Sequence, residues 1–174
     1  MECKRVAVLV VMTAVCVGIQ LAPRPPNVEF TSLICFLTGF LFGGLFGALL
    51  GALTMFINGF LSPWGFAGII MPFQMLGMAL MGLAGGAYRK LLGNDFSISK
   101  SLNFESACLA AFLTLIYDII TNVGYAVLFN LEIVIVLIAG IWFSIIHVVS
   151  NTVLFGTAFH RLVKIVGSLA GENL

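Results

Sequence analysis

Charge is scarce in this chain. Only 9% of its 174 residues are charged, against roughly 25% in soluble domains, while 61% are hydrophobic. Such a composition leaves no room for a soluble catalytic domain. It points to an all-α, polytopic membrane protein with residues 1–174 forming a single transmembrane domain. The net charge of +1 is uninformative about nucleic acid, and no nucleic-acid partner is expected. Chemical signatures are missing as well. There is no GxxxxGK[ST] phosphate loop, no HExxH and no CxxC, and no Ser/His/Asp set or carboxylate pair can be assembled. The chain is therefore read as a non-enzyme that cannot itself hydrolyse ATP and that holds no metal or cofactor. Voltage-sensor arginine patterns and selectivity-filter sequences are absent too. The cysteines, Cys3, Cys16, Cys35 and Cys108, match no redox or metal spacing and read as small apolar packing residues.

What the chain does have is long apolar stretches. Five are visible: Val6–Ala22, Phe30–Leu61, Phe66–Tyr88, Phe104–Phe129 and Ile133–Phe159. The first follows Lys4 and Arg5 and so resembles a signal peptide. Gln20 is too large and polar for the third place before a cut after Ala22, so the segment is read as a retained helix. The second stretch is the anomalous one, at 32 residues without a charge. One straight helix of that length would measure about 48 Å, against a hydrocarbon core of about 30 Å. Gly43-Gly44 near its centre offers a turning point.

Charge asymmetry decides between one crossing and two. Basic residues cluster at Lys4/Arg5, at Arg89/Lys90 with Lys100, and at Arg161/Lys164, with Arg24 alone elsewhere. Cytoplasmic loops carry the excess of Lys and Arg. Only a double crossing puts all three clusters on the cytoplasmic side. The run is accordingly divided into short helices at Phe30–Phe42 and Leu45–Phe60, a re-entrant hairpin having the same parity. The expectation is six transmembrane helices, short second and third ones, and both termini cytoplasmic in the cell membrane. Gly39, Gly43, Gly47 and Gly51 recur every four residues, a spacing that permits close helix packing.

Polar residues inside these spans need partners or a watery cavity, because an intramembrane carboxylate costs about 2.5–3.5 kcal/mol on insertion scales. Asp118 lies mid-helix, with Asn122 one turn on, Tyr125 at i+7, and Tyr117 and Thr121 bordering. Such a stripe of donors, acceptors and rings suits a polar, ring-bearing ligand. In the last segment Ser144, His147 and Asn151 form a second stripe preceded by Trp142, and His147 is positioned to pair with Asp118. A third polar set, Asn27, Glu29, Asn58 and Ser62-Pro63-Trp64-Gly65, falls at the expected outer surface. Gln74 lies further into the next helix. Together they describe a pocket opening outward. Polar side chains that merely hold helices together are the alternative reading of each stripe.

The stretches Pro26-Asn27-Val28-Glu29, Leu37 to Gly51, and Ser62-Pro63-Trp64-Gly65, with Gly77, Gly82, Gly85 and Gly86, resemble the substrate-binding S components of energy-coupling factor (ECF) vitamin transporters. The resemblance covers nearly the whole chain. It implies a six-helix membrane domain that binds one vitamin or precursor from outside. It also implies association with a transmembrane scaffold subunit and two cytoplasmic ATPases, the ATP being used by those partners. The ligand pocket it implies falls on Asn27, Glu29, Trp64, Gln74, Tyr117, Asp118, Asn122, Trp142, His147 and Asn151. The family's Ala-x-x-x-Ala docking pair is not matched at Ala7, which is followed by Val11. Ala14 and Gly18 have that spacing further along. Two other functions fit the residues: a proton-coupled small-molecule carrier using Asp118 and His147 as a relay, and a non-transporting structural membrane protein.

Overall fold

The 32-residue apolar run is divided at Gly43. In the computed structural model, which describes residues 2–62, 66–93 and 101–170, this glycine takes φ +105° and ψ 145°, a conformation open only to glycine. Helix α2 (Thr31–Phe42) stops there and α3 (Gly44–Leu61) starts. The two fold back on each other, since a Cβ on Gly47 would meet the backbone of Gly39 and Cys35 at 2.6–2.7 Å. The break is where the sequence placed it, with helix ends displaced by a residue.

Four further helices complete the described residues: α1 (Glu2–Leu21), α4 (Met71–Leu92), α5 (Ser101–Leu128) and α6 (Ile133–Ala170). No strand occurs among them. Four segments are long and apolar enough to cross a membrane, Gly44–Leu61, Gly68–Leu92, Asn103–Leu128 and Ile133–Ser168, while Val6–Leu21 and Thr31–Phe42 are shorter apolar helices. Two boundaries differ most from expectation. A 3-10 turn at Gly68–Ile70 precedes α4, so that helix begins at Met71 rather than Phe66. Helix α6 continues eleven residues past Phe159, because Leu162, Val163 and Val166 keep an apolar face on the core while Arg161 and Lys164 fall on other faces.

Glycine lets three helices meet. Gly39 of α2, Gly47 of α3 and Gly82 of α4 lie so close that a Cβ on Gly82 would enter the Gly47 backbone, and one on Gly85 that of Phe36. Gly51 meets Met78 in the same way. Gly43 does not share this packing role: no atom lies within 4 Å of where its Cβ would be, and its function is the turn.

An aromatic core ties α2 to α4 and α6. Phe36 packs edge-on to Phe155 and Phe159, each with ring centroids 5.4 Å apart, Phe40 meets Phe159 at 5.3 Å, and Tyr88 closes the cluster. Helices α5 and α6 pack mainly on each other and meet the rest through α4 and α2. Beyond the aromatic core, between this hairpin and the α1–α4 body, the packing opens into a polar site.

Candidate functional site

The loop after α1 forms one wall. Arg24 donates to Val28 O at 2.8 Å and to Gln20 Oε1 one turn earlier. Gln20 in turn donates to Thr31 Oγ1 at 2.7 Å, joining α1 to the start of α2. Asn27 stands in the left-handed region at φ +59°. Its Nδ2 donates to Phe143 O at 3.0 Å, and its own carbonyl accepts from Ser150 Oγ at 3.1 Å, so the loop is held against α6. Glu29 then points inward and is 5% exposed. Its Oε2 accepts from Ser32 N at 2.9 Å, satisfying a backbone N–H in the first turn of α2 that has no helical partner. Its Oε1 accepts from Asn151 Nδ2 at 3.2 Å. Burial alone would raise the Glu29 carboxyl, but the neighbouring His147 imidazole and the hydrogen bond from Ser32 outweigh it and hold it down at about 2.

Helices α5 and α6 form the opposite wall. His147 Nδ1 lies 2.8 Å from Asp118 Oδ1, and its Nε2 lies 3.5 Å from Glu29 Oε1. One imidazole thus stands between carboxylates from two different elements, and all three side chains are buried. The Tyr117 ring meets His147 edge-on at 5.6 Å. Asn122 donates to Asp118 O at 2.7 Å, and Thr121 to Tyr117 O at 3.1 Å. Thr121 thereby spends its hydroxyl donor on the backbone, and Asn122 spends one of its two amide N–H donors there.

Between the walls lies a cavity of about 600 Å³, within the range of small-molecule sites. Gln20, Arg24, Asn27 and Glu29 line it from α1 and the loop. Asn58 and Ser62 enter from the end of α3, with Phe66, Gln74 and Met78 on the way into α4. Tyr117, Asp118, Thr121 and Asn122 face it from α5, and Phe143, Ser144 and His147 from α6. Among the described residues, no group of three or more His, Cys, Asp or Glu side chains is arranged to hold a metal ion.

The structure thus brings together Asn27, Glu29, Gln74, Tyr117, Asp118, Asn122 and His147 around one cavity. Asn151 sits beneath it. That residue is fully buried and donates to Glu29 and to Thr114 Oγ1 at 3.0 Å, so it supports the site rather than lining it. Trp142 is corrected: it is 72% exposed, on a face of α6 turned away from the cavity. Tyr125 also points away, 44% exposed and packed on Phe129. Trp64 lies outside the described residues. Gln20 and Arg24 line the cavity although neither was among the expected site residues. Their signal was a glutamine and an arginine one helical turn apart at the end of an apolar span. Ala14 and Gly18 border a separate apolar groove between α1 and α3, with Val17, Leu53 and Ile57, and the space beside Gly18 is open.

A family model described as ECF-type riboflavin transporter, S component, matches residues 1–164. The chain belongs to that family. No curated protein and no solved structure matches it. As an S component it is a multi-pass membrane subunit of a vitamin transporter that binds substrate, and not an enzyme. The cavity of this S component, at about 600 Å³, falls within the size range of small-molecule sites.

Proposed function

We propose that this S component captures a water-soluble vitamin or vitamin precursor from outside the cell for ATP-driven uptake by partner subunits. The observation that carries the reading is the polar cavity at the end of the bundle remote from Arg89, Lys90, Arg161 and Lys164. Basic residues mark the cytoplasmic side, so the cavity faces outward. The same rule gives six crossings by one transmembrane domain, both termini cytoplasmic, and the cell membrane as its location.

The chain has no nucleotide-binding motif of its own. Energy then comes from two cytoplasmic ATPases joined through a transmembrane scaffold subunit. The open groove at Ala14 and Gly18 supports a docking face on α1. Asn27, Glu29, Gln74, Tyr117, Asp118, Asn122 and His147 make the ligand contacts, with Gln20 and Arg24 closing the loop side.

One observation favours a second reading. The His147–Asp118 pair at 2.8 Å is the kind of contact a proton-coupled carrier uses. Reconstitution separates the two. Vesicles holding the chain with scaffold and ATPase subunits are given a panel of radiolabelled vitamins. Uptake that requires ATP supports the binding-subunit reading. Uptake by the chain alone, driven by a pH gradient without ATP, overturns it in favour of the carrier.

A further inference from the structure

The helices are level at one end of the bundle and not at the other. Tyr88 Oη of α4 donates to Glu105 Oε2 of α5 at 2.7 Å, and His160 N of α6 donates to Asn103 Oδ1 of α5 at 3.3 Å. The inner ends of these three helices are thus tied side by side. From that common level they run unequal distances outward. Tyr88 to Met71 in α4 measures about 26 Å, Glu105 to Leu128 in α5 about 35 Å, and His160 to Ile133 in α6 about 40 Å. Helix α3, from Gly44 to Leu61, is also about 26 Å long. The α5–α6 hairpin therefore projects about 10–15 Å past the end of the bundle at which the cavity opens.

The projecting part is apolar on most of its surface. Residues 133–141 carry no polar side chain. Ile133, Val134, Ile135, Leu137, Ile138 and Ile141 are all exposed. Steps of about 100° per residue spread them, with Ala139, over about two thirds of the helix circumference. Even Val136 and Gly140, on the side of α5, are only half-buried. On α5 itself Val127 and Leu128 are exposed as well. Polar groups return at the turn, with Asn130 and Glu132, and Tyr125 packs on Phe129 beside it.

A protein partner covers one side of a helix pair, and soluble surfaces rarely expose an apolar patch of this extent to water. Hydrocarbon covers every side, and this patch is continuous with the sparsely buried, membrane-spanning face of α6. A tyrosine and a polar turn at its end have the composition of a membrane–water boundary. We propose that the α5–α6 hairpin is embedded in outer-leaflet hydrocarbon up to its turn, so that the cavity mouth lies about 10 Å below the outer hydrocarbon edge and the bilayer thins over the shorter α1–α4 side. A helix of about 40 Å fits a hydrocarbon core of about 30 Å by inclining, and helices of about 26 Å draw the bilayer in around them. The ligand then approaches from the thinned side, past Asn58, Ser62 and Phe66, with the hairpin as a lipid-facing wall behind it.

The test places the full chain in lipid vesicles and reads tryptophan depth. Ile138→Trp, in a chain that also carries Trp64→Phe and Trp142→Phe, reports from the projecting part. Bromine atoms on the acyl chains of phosphatidylcholine are expected to lower its emission at least twofold, and acrylamide in the water to leave it nearly unchanged. Strong quenching by acrylamide would put the tip in water and overturn the proposal. Quenching by neither reagent would mean that a protein surface covers the tip, which overturns it as well. Should that variant fail to fold, the native Trp142 in the Trp64→Phe chain decides. Trp142 stands about 14 Å inward of Ile133 along α6. Bromines deep in the acyl chain are therefore expected to quench it at least twofold more than bromines near the headgroup, and an equal or reversed order overturns the proposal. None of these readings involves ligand binding, so their failure leaves the binding-subunit reading standing.

Discussion

His147 Nδ1 stands 2.8 Å from Asp118 Oδ1, across the interface of the last two helices and at the floor of a polar cavity. Glu29 approaches the other ring nitrogen from the first loop, so the imidazole separates two carboxylates. Removing one partner of a buried charged pair leaves the rest uncompensated and costs about 3–5 kcal/mol. His147→Leu should therefore lower the unfolding temperature in detergent sharply. The triple variant His147→Leu/Asp118→Asn/Glu29→Gln should recover part of the loss, because it strands no charge. Equal destabilisation by the single and triple variants would show that packing, not charge, dominates there.

Glu29 sets an acid-side limit. Its carboxyl is held at about 2 in the folded chain, below its ordinary value of 4.5. A depressed carboxyl contributes stability that is fully present above pH 4.5 and disappears as pH falls from there toward 2. Unfolding midpoints between pH 6 and 2.5 should fall across that window, and Glu29→Gln should flatten the slope. An unchanged slope in the variant would place the acid sensitivity elsewhere.

The glycine contacts divide into tolerant and intolerant positions. A Cβ on Gly82 meets backbone, which cannot swing aside as a side chain can, so Gly82→Ala should cost at least the roughly 1–3 kcal/mol typical of overpacking. Gly43→Ala should cost about 1–3 kcal/mol through φ alone. Gly18→Ala faces open space and should stay within about 0.5 kcal/mol. Thermal unfolding of the three variants checks the order.

Asn27 holds the loop by backbone shape and by its side chain. Asn27→Gly keeps the left-handed conformation and loses the bond to Phe143 O. Asn27→Ala loses the bond and also meets the αL penalty of about 1–2 kcal/mol. Ligand release should thus be faster in both variants, and fastest in the alanine variant. Matching rates in the two would mean that φ at this position does not govern the loop.

Much of this arrangement was legible in the residues, for identifiable reasons. The turn at Gly43 was forced by an apolar run longer than a bilayer and by the side on which lysine and arginine fall. The Asp118–His147 pair was legible because a carboxylate within an apolar helix needs a partner, and His147 was the fitting group on a neighbouring span. Trp142 was misjudged although the sequence held the correction. Five residues at 3.6 per turn set it about 140° from His147 around the helix. Gln20 and Arg24 were read only as a poor cleavage site and a lone outer charge. Their place at the cavity depends on the loop folding back over the bundle, which no helical periodicity encodes. The length of α6 was missed because charged residues past Phe159 looked like a terminus, when they occupy the outer faces of a helix still packed on the core.

The central claim is that this chain by itself holds one small molecule. Native mass spectrometry of the detergent-purified full chain, expressed in rich medium, tests it most directly. The account predicts a co-purifying molecule at one per chain, lost from Asp118→Asn, whose mass names the ligand. A bare spectrum, unchanged after incubation with a panel of water-soluble vitamins, would contradict it.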